Sequence, residues 1–206
     1  MTDLYLILFS LSLGAYLIGS VPMAILVARA FGGVDPRKFG SGNIGATNVA
    51  RTTGKTAGII TLVLDALKGA LPTLFATYVF RGESLFEPLV CLVALLTFLG
   101  HLFPVYLFFR GGKGVATAVG LYLVISPLSL LLSFVIFVVV LFTTRYVSVA
   151  SISSAIVMPI FLVVFMGFGF PALLGVIMAV LIIVKHRANL GRVIKGTESK
   201  FGKKLG

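Results

Sequence analysis

The sequence predicts an all-α, polytopic integral membrane protein of seven transmembrane helices, with five as the alternative, an external amino terminus and a cytoplasmic carboxy terminus. Three observations carry this expectation. Of 206 residues, 59% are hydrophobic and 11% charged, with a mean hydropathy of +1.14, whereas soluble domains hold about 45–50% apolar residues. The apolar residues form long runs, which bilayer-spanning helices require and compact soluble cores do not. The 17 Lys and Arg, against 6 Asp and Glu, lie almost entirely in the short segments between those runs. A water-soluble enzyme is thereby excluded. So is a nucleic-acid partner, which needs a hydrophilic body to carry the basic charge. Cys91 is the one cysteine, so a single chain holds neither a disulfide nor a cysteine-based metal site.

The elements follow in order. Leu4 to Ala28, Ala57 to Phe80 and Pro88 to Phe109 each read as one span. No cation precedes the first run, which is longer than a signal-peptide core, so it is expected to remain as an uncleaved helix. Val115 to Thr144 is too long for one untilted helix, and Tyr146 to Val184 is long enough for two. Ser126-Pro127 divides the former and Gly167 to Pro171 the latter, because glycine and proline favour turns. With seven spans, eight cations from Arg29 to Arg145 and the seven from Lys185 onward share one side. Arg81 stands on the other, and Lys68 lies within the second span. Lys and Arg are retained on the cytoplasmic side; five spans would move Arg145 alone. The chain reads as a single domain, 1–206, without an internal repeat.

Three cytoplasmic segments combine glycine, small polar side chains and cations. The first is Phe39 to Arg51, FGSGNIGATNVAR. Its glycines let backbone N–H groups approach an anion; Ser41, Gly42, Asn43, Thr47 and Asn48 offer neutral hydrogen bonds, and Arg51 grips two phosphate oxygens with its planar fork. The glycine spacing from Gly40 to Gly45 fits a dinucleotide loop, but it follows a membrane helix rather than a strand. Gly54-Lys55-Thr56 resembles the end of a nucleotide-binding loop, yet Val49 stands where the first glycine belongs. The second segment runs from Gly100-His101 to Thr117 and contains Gly111-Gly112-Lys113-Gly114 just before a helix, which sets amide donors beside an ammonium. His101 reads primarily as a hydrogen-bonded interior histidine. The third segment is Lys185 to Glu198. There, on a continuing helix, His186, Asn189 and Arg192 recur every three residues and share a face. Arg145, Ser148 and Ser151 have the same spacing. Asp65 and Lys68, inside the second span, are placed to neutralise each other.

These three segments, in this order, resemble the signature regions of the bacterial membrane glycerol-3-phosphate acyltransferases that use acyl phosphate, the PlsY family. The resemblance covers nearly the whole chain. It implies transfer of a fatty acyl group from acyl phosphate to the 1-hydroxyl of glycerol 3-phosphate, giving lysophosphatidate and phosphate at the cytoplasmic side of the bacterial inner membrane. By it, Ser41 and Arg51 serve the reacting phosphate and carbonyl. Lys113 with Gly112 and Gly114 binds phosphate, and His186 with Asn189 serves the attacking glycerol end. Ser151 joins the phosphate-binding set, and His101, Arg145, Ser148 and Glu198 form a wider circle. Neither metal nor cofactor is expected, since acyl phosphate is already activated and carboxylates are scarce. A monomer in contact with membrane lipid is expected. Acyltransferases that use thioesters show His followed five residues later by Asp; here Tyr106 and Gly191 occupy those positions.

Overall fold

The computed structural model describes residues 2–202, and all of their regular structure is helical. The chain packs as two compact units, one ending at Val124 and the other beginning at Ile125.

In the first unit, α1 (Thr2–Ser20) and α2 (Met23–Ala30) meet at 43°. Pro22 has no N–H and restricts Val21 ahead of it, which breaks the helix there. The first span, expected as one run from Leu4 to Ala28, is thus a bent pair. The short α3 (Ala46–Thr52) leads into α4 (Lys55–Val79), which stays continuous through Pro72. Next, α5 (Phe86–Leu102) ends seven residues short of the expected Phe109. Pro104 stops it, a 3-10 turn (Val105–Leu107) follows, and Phe108 and Phe109 turn the chain in the left-handed region. The unit ends within α6 (Val115–Ile125).

Its helices approach closely because glycines leave room for neighbouring backbone. A Cβ on Gly19 would overlap the Thr97 carbonyl, one on Gly100 the Tyr16 carbonyl, and one on Gly120 the Ala66 carbonyl. Small residues at contacts are the usual device where lipid removes the hydrophobic drive for helices to associate. One apolar cluster, including Ala15, Ala76, Phe80 and Val93, joins α1, α4 and α5. A second, with Ile25, Ile44, Val49 and Ala57, holds α2, α3 and the loop between them against α4, and Leu107 packs onto it.

The second unit contains α7 (Pro127–Thr144), α8 (Val147–Met166), α9 (Phe170–Lys185) and α10 (Arg187–Ile194). Ser126 and the Gly167–Gly169 turn interrupt the helices where the sequence predicts division. Leu162, Met178 and Ile182 form the buried seam of α8 and α9, and Gly175 meets Pro159. At His186, α9 and α10 meet at 53°.

Among the described residues, four helices are long and apolar enough to cross a bilayer, and six segments qualify if each bent pair is one span. A seventh apolar helix, α6, has only 11 residues, about 16 Å at 1.5 Å per residue. Large exposed side chains such as Leu71, Phe75, Phe134 and Phe142 suit a lipid surround, where every backbone group is satisfied within helices.

Candidate active site

The first glycine loop is built around Asn48. Its side chain is 2% exposed, and its amide oxygen accepts the Ser41 N–H at 2.9 Å. Its NH2 group donates to the carbonyls of Pro36, Phe39 and Asn43 at 2.8, 3.1 and 3.0 Å. The expectation that Asn48 binds phosphate is therefore corrected: its hydrogen-bonding groups are engaged by the loop backbone, and it shapes the loop. Gly40 and Gly42 lie at φ +63° and +70°, and a Cβ on Gly40 would overlap the Asn48 amide oxygen, so glycine is required there. Ser41 and Gly42 are exposed on the loop rim and Asn43 is half-buried. Thr47 and Arg51, one turn apart on α3, share a face, with Thr47 exposed and Arg51 half-buried. At the foot of the loop, Arg37 and Asp35 pair at 2.7 Å. The Arg37 hydrogen bonds hold the Asp35 carboxyl down to about 2.

The second loop folds back on His101. The Gly112 N–H donates to the His101 carbonyl at 3.1 Å, and a Cβ on Gly112 would overlap the imidazole Nε2. Gly112 was expected to offer its amide to phosphate; that donor serves the loop instead. Gly114, at φ +82°, lies against the Phe98 ring, where a Cβ would overlap. Lys113 is held half-buried between these two buried glycines. His101 is an interior, hydrogen-bonded histidine, with Nδ1 3.1 Å from Thr117 Oγ1 and 3.6 Å from the Asp65 carboxylate. Lys68 Nζ lies 2.9 Å from Asp65 and donates to the Val21 carbonyl at 3.0 Å. Asp65 and Lys68 do neutralise each other, but within a wider network. A small pocket at this level is lined by Val21, Ile44, Lys68, His101 and Pro104 among others. Because Ile44 belongs to the first loop and Pro104 to the second, the two glycine loops lie at the same end of this unit.

In the second unit His186 is 2% exposed at the α9–α10 bend. Its Nδ1 donates to the Ile182 carbonyl at 2.8 Å, and a carbonyl can only accept, so neutral His186 carries its lone pair on Nε2. The helix expected to continue through His186 breaks there; Asn189 and Arg192 keep their spacing on α10. Glu198, which follows α10, gathers three donors: Asn189 Nδ2 at 2.6 Å, Arg192 Nε at 2.7 Å and Ser148 Oγ at 3.1 Å. Burial pushes this carboxyl up, but those hydrogen bonds and the Arg192 charge outweigh it and hold it below the usual carboxylate range. One expectation needs correction here. Arg145 lies outside α8, in the left-handed cap of α7, so it does not share a helix face with Ser148 and Ser151. Its guanidinium donates instead to the Phe201 carbonyl at 3.1 Å, and its own carbonyl accepts the Phe201 N–H at 2.7 Å. Ser151 donates its hydroxyl proton to Val147, within its own helix, at 2.8 Å.

A family model described as glycerol-3-phosphate acyltransferase matches residues 9–196. The glycerol-3-phosphate acyltransferase of Geobacter sulfurreducens is 49% identical over 189 residues, 91% of this chain and 94% of the relative. That of Geotalea daltonii is 49% identical over 191 residues, 93% and 96% of the two. The crystal structure of PlsY (YgiH), an integral membrane glycerol 3-phosphate acyltransferase, in its glycerol 3-phosphate form matches with a TM-score of 0.88. Identity is 39%, covering 95% of this chain and 96% of that one. Its lysophosphatidic acid form matches at 0.86 with the same identity, covering 95% of each. Since the likeness extends from the first helix through both glycine loops to the turn after α10, and holds in sequence and fold alike, the chain belongs to the PlsY family of bacterial membrane glycerol-3-phosphate acyltransferases.

Proposed function

We propose that the protein transfers a fatty acyl group from acyl phosphate to the 1-hydroxyl of glycerol 3-phosphate, releasing lysophosphatidate and inorganic phosphate at the cytoplasmic face of the bacterial inner membrane. The observation that carries this reading is the match to PlsY, solved in a glycerol 3-phosphate form and a lysophosphatidic acid form. These are the acceptor and the product of one acyl transfer. The glycine loops and cations supply the donor side of the reading, since both substrates bear phosphate.

Acyl phosphate is a mixed anhydride. The glycerol oxygen attacks its carbonyl carbon, the bond from that carbon to the phosphate oxygen breaks, and phosphate leaves with the electron pair. The protein has to orient two anions and offset the charge that develops, a task of positioning and electrostatics. Ser41, Gly42, Asn43 and Thr47, with Arg51, serve the reacting phosphate and carbonyl; Lys113 and the Gly114 amide hold phosphate. Asn189 orients the glycerol end. His186 receives the hydroxyl proton at Nε2, a role supported by the Nδ1 bond to Ile182. The support for joining both units in one reaction, as a single acyltransferase domain, is the family match, which spans residues of each.

We further propose seven crossings with the amino terminus outside. Fifteen of the 17 cations then face the cytoplasm. The irregular run 110–114 ahead of α6 adds up to about 16 Å to that helix's rise. Non-helical backbone is tolerated at membrane depth where protein buries it, and Gly112 and Gly114 are buried.

The direct test is purified protein with palmitoyl phosphate and glycerol 3-phosphate, following phosphate and lysophosphatidate together, with palmitoyl coenzyme A as control. Stoichiometric release of both products from the acyl phosphate is expected. Turnover with the thioester alone would reject the donor.

A further inference from the structure

Neutralising a buried charge requires only a partner, and Asp65 already has Lys68 at 2.9 Å. The structure nonetheless brings His101 to within 3.6 Å of the same carboxylate oxygen. It then uses that histidine on both strands of the second glycine loop. At the near end the His101 carbonyl accepts the Gly112 N–H at 3.1 Å, and the ring leaves no space for a Cβ on Gly112. At the far end Nδ1 shares a hydrogen bond of 3.1 Å with the Thr117 hydroxyl in the first turn of α6. Gly111 is fitted just as closely, since a Cβ there would overlap the His101 carbonyl and Pro104. Lys113 is the cation between these two points of attachment. His101 is 6% exposed, Asp65 2% and Thr117 0%, so the chain of contacts is buried along its length, and Lys68 extends it to the Val21 carbonyl at the α1–α2 break.

We infer that His101 is a positioning residue for Lys113: Asp65 and Thr117 orient the imidazole, the imidazole fixes the Gly111–Gly114 turn, and the turn aims the ammonium at substrate phosphate. This inference rests on the reading that Lys113 binds that phosphate. His101 does not touch substrate itself. A hydrogen bond between a cation and an anion is worth most when both partners are held in place beforehand. Loosening the turn therefore acts on glycerol 3-phosphate binding before it acts on turnover.

The test is a double-mutant cycle on the purified full-length protein in detergent, with KM for glycerol 3-phosphate, kcat and the thermal midpoint measured for each variant. His101→Phe keeps a ring over Gly112 and the backbone carbonyl that accepts the Gly112 N–H, and removes the Nδ1 contacts with Thr117 and Asp65. It is expected to raise KM about tenfold, the loss of one charge-assisted bond, with a smaller change in kcat and a near-native midpoint. Lys113→Ala is expected to raise KM at least as much. In the double variant KM should match that of Lys113→Ala alone, because a residue acting through Lys113 adds nothing once the ammonium is gone. Multiplying effects would overturn the inference, as would a native KM in His101→Phe or a fall in kcat that merely follows the folded fraction. Lys113→Ala with native KM would instead reject the phosphate reading, and the inference with it. Should His101→Phe fail to fold, Thr117→Val takes its place in the cycle, with a smaller rise in KM expected and an unchanged KM overturning the inference.

Discussion

Glu198 accepts three side-chain hydrogen bonds, from α8 through Ser148 and from α10 through Asn189 and Arg192. Its carboxyl is held below the usual range, so its contribution to stability is complete above the ordinary carboxyl pKa of about 4.3. That contribution disappears as pH falls through the lowered folded value. Glu198→Gln is expected to lower the thermal midpoint at neutral pH and to flatten its dependence on pH below about 4.3, measured by scanning calorimetry. An unchanged acid limb would mean that other carboxylates control it. A second contrast concerns the cations. Lys113→Ala should reduce kcat/KM for glycerol 3-phosphate by about a hundredfold, the range for truncating a charge-assisted contact, and Lys204→Ala should leave it near native in the same assay. The sequence distinguishes these lysines by their neighbours, and it names the polar residues of the first glycine loop from Ser41 to Arg51. It did not show which donors were already engaged. Asn48 and Gly112 have the chemistry of anion ligands, yet that same chemistry binds a carbonyl of their own loop equally well. Their partners come from folding, not from spacing.

Helix ends were legible where glycine or proline met a short polar stretch, as at Ser126-Pro127 and Gly167–Pro171. Pro22 was not, because it lies within an apolar window and because Pro72 and Pro159 remain inside continuous helices. What differs at Pro22 is tertiary: Lys68 reaches the carbonyl exposed at the break. The end of α5 was misjudged for a related reason, since the apolar residues beyond Pro104 continue the hydropathy signal after the helix has stopped. Close helix approach gives a prediction at this scale. Gly120→Val drives a side chain into the Ala66 backbone on α4, an overpacking that costs about 1–3 kcal/mol, and backbone cannot give way as a flexible side chain can. A Cβ on Gly14 meets no atom of another segment within 4 Å, so Gly14→Val should be tolerated. Thermal midpoints of the two purified variants separate these outcomes; equal midpoints would contradict the packing of α6 on α4.

With the proposed crossings the cations gather on one side of the membrane, and that reading comes from the sequence because topology depends on where Lys and Arg lie rather than on any contact. The number of crossings was less visible, since the bent pairs and the short α6 have apolar runs that do not coincide with helix lengths. Sidedness can be measured in a Cys91→Ser background. With an impermeant maleimide on intact cells, Glu83→Cys should label from outside and Lys55→Cys only after permeabilisation; the reverse pattern would invert the proposed orientation. The bond from Lys68 to Val21 spans 47 positions of sequence, and this separation has a consequence for biogenesis. When the bent amino-terminal helix pair first leaves the translocon, Pro22 has already freed the Val21 carbonyl, but the ammonium that caps it is not yet synthesised, so this bond closes only after the second span has been threaded.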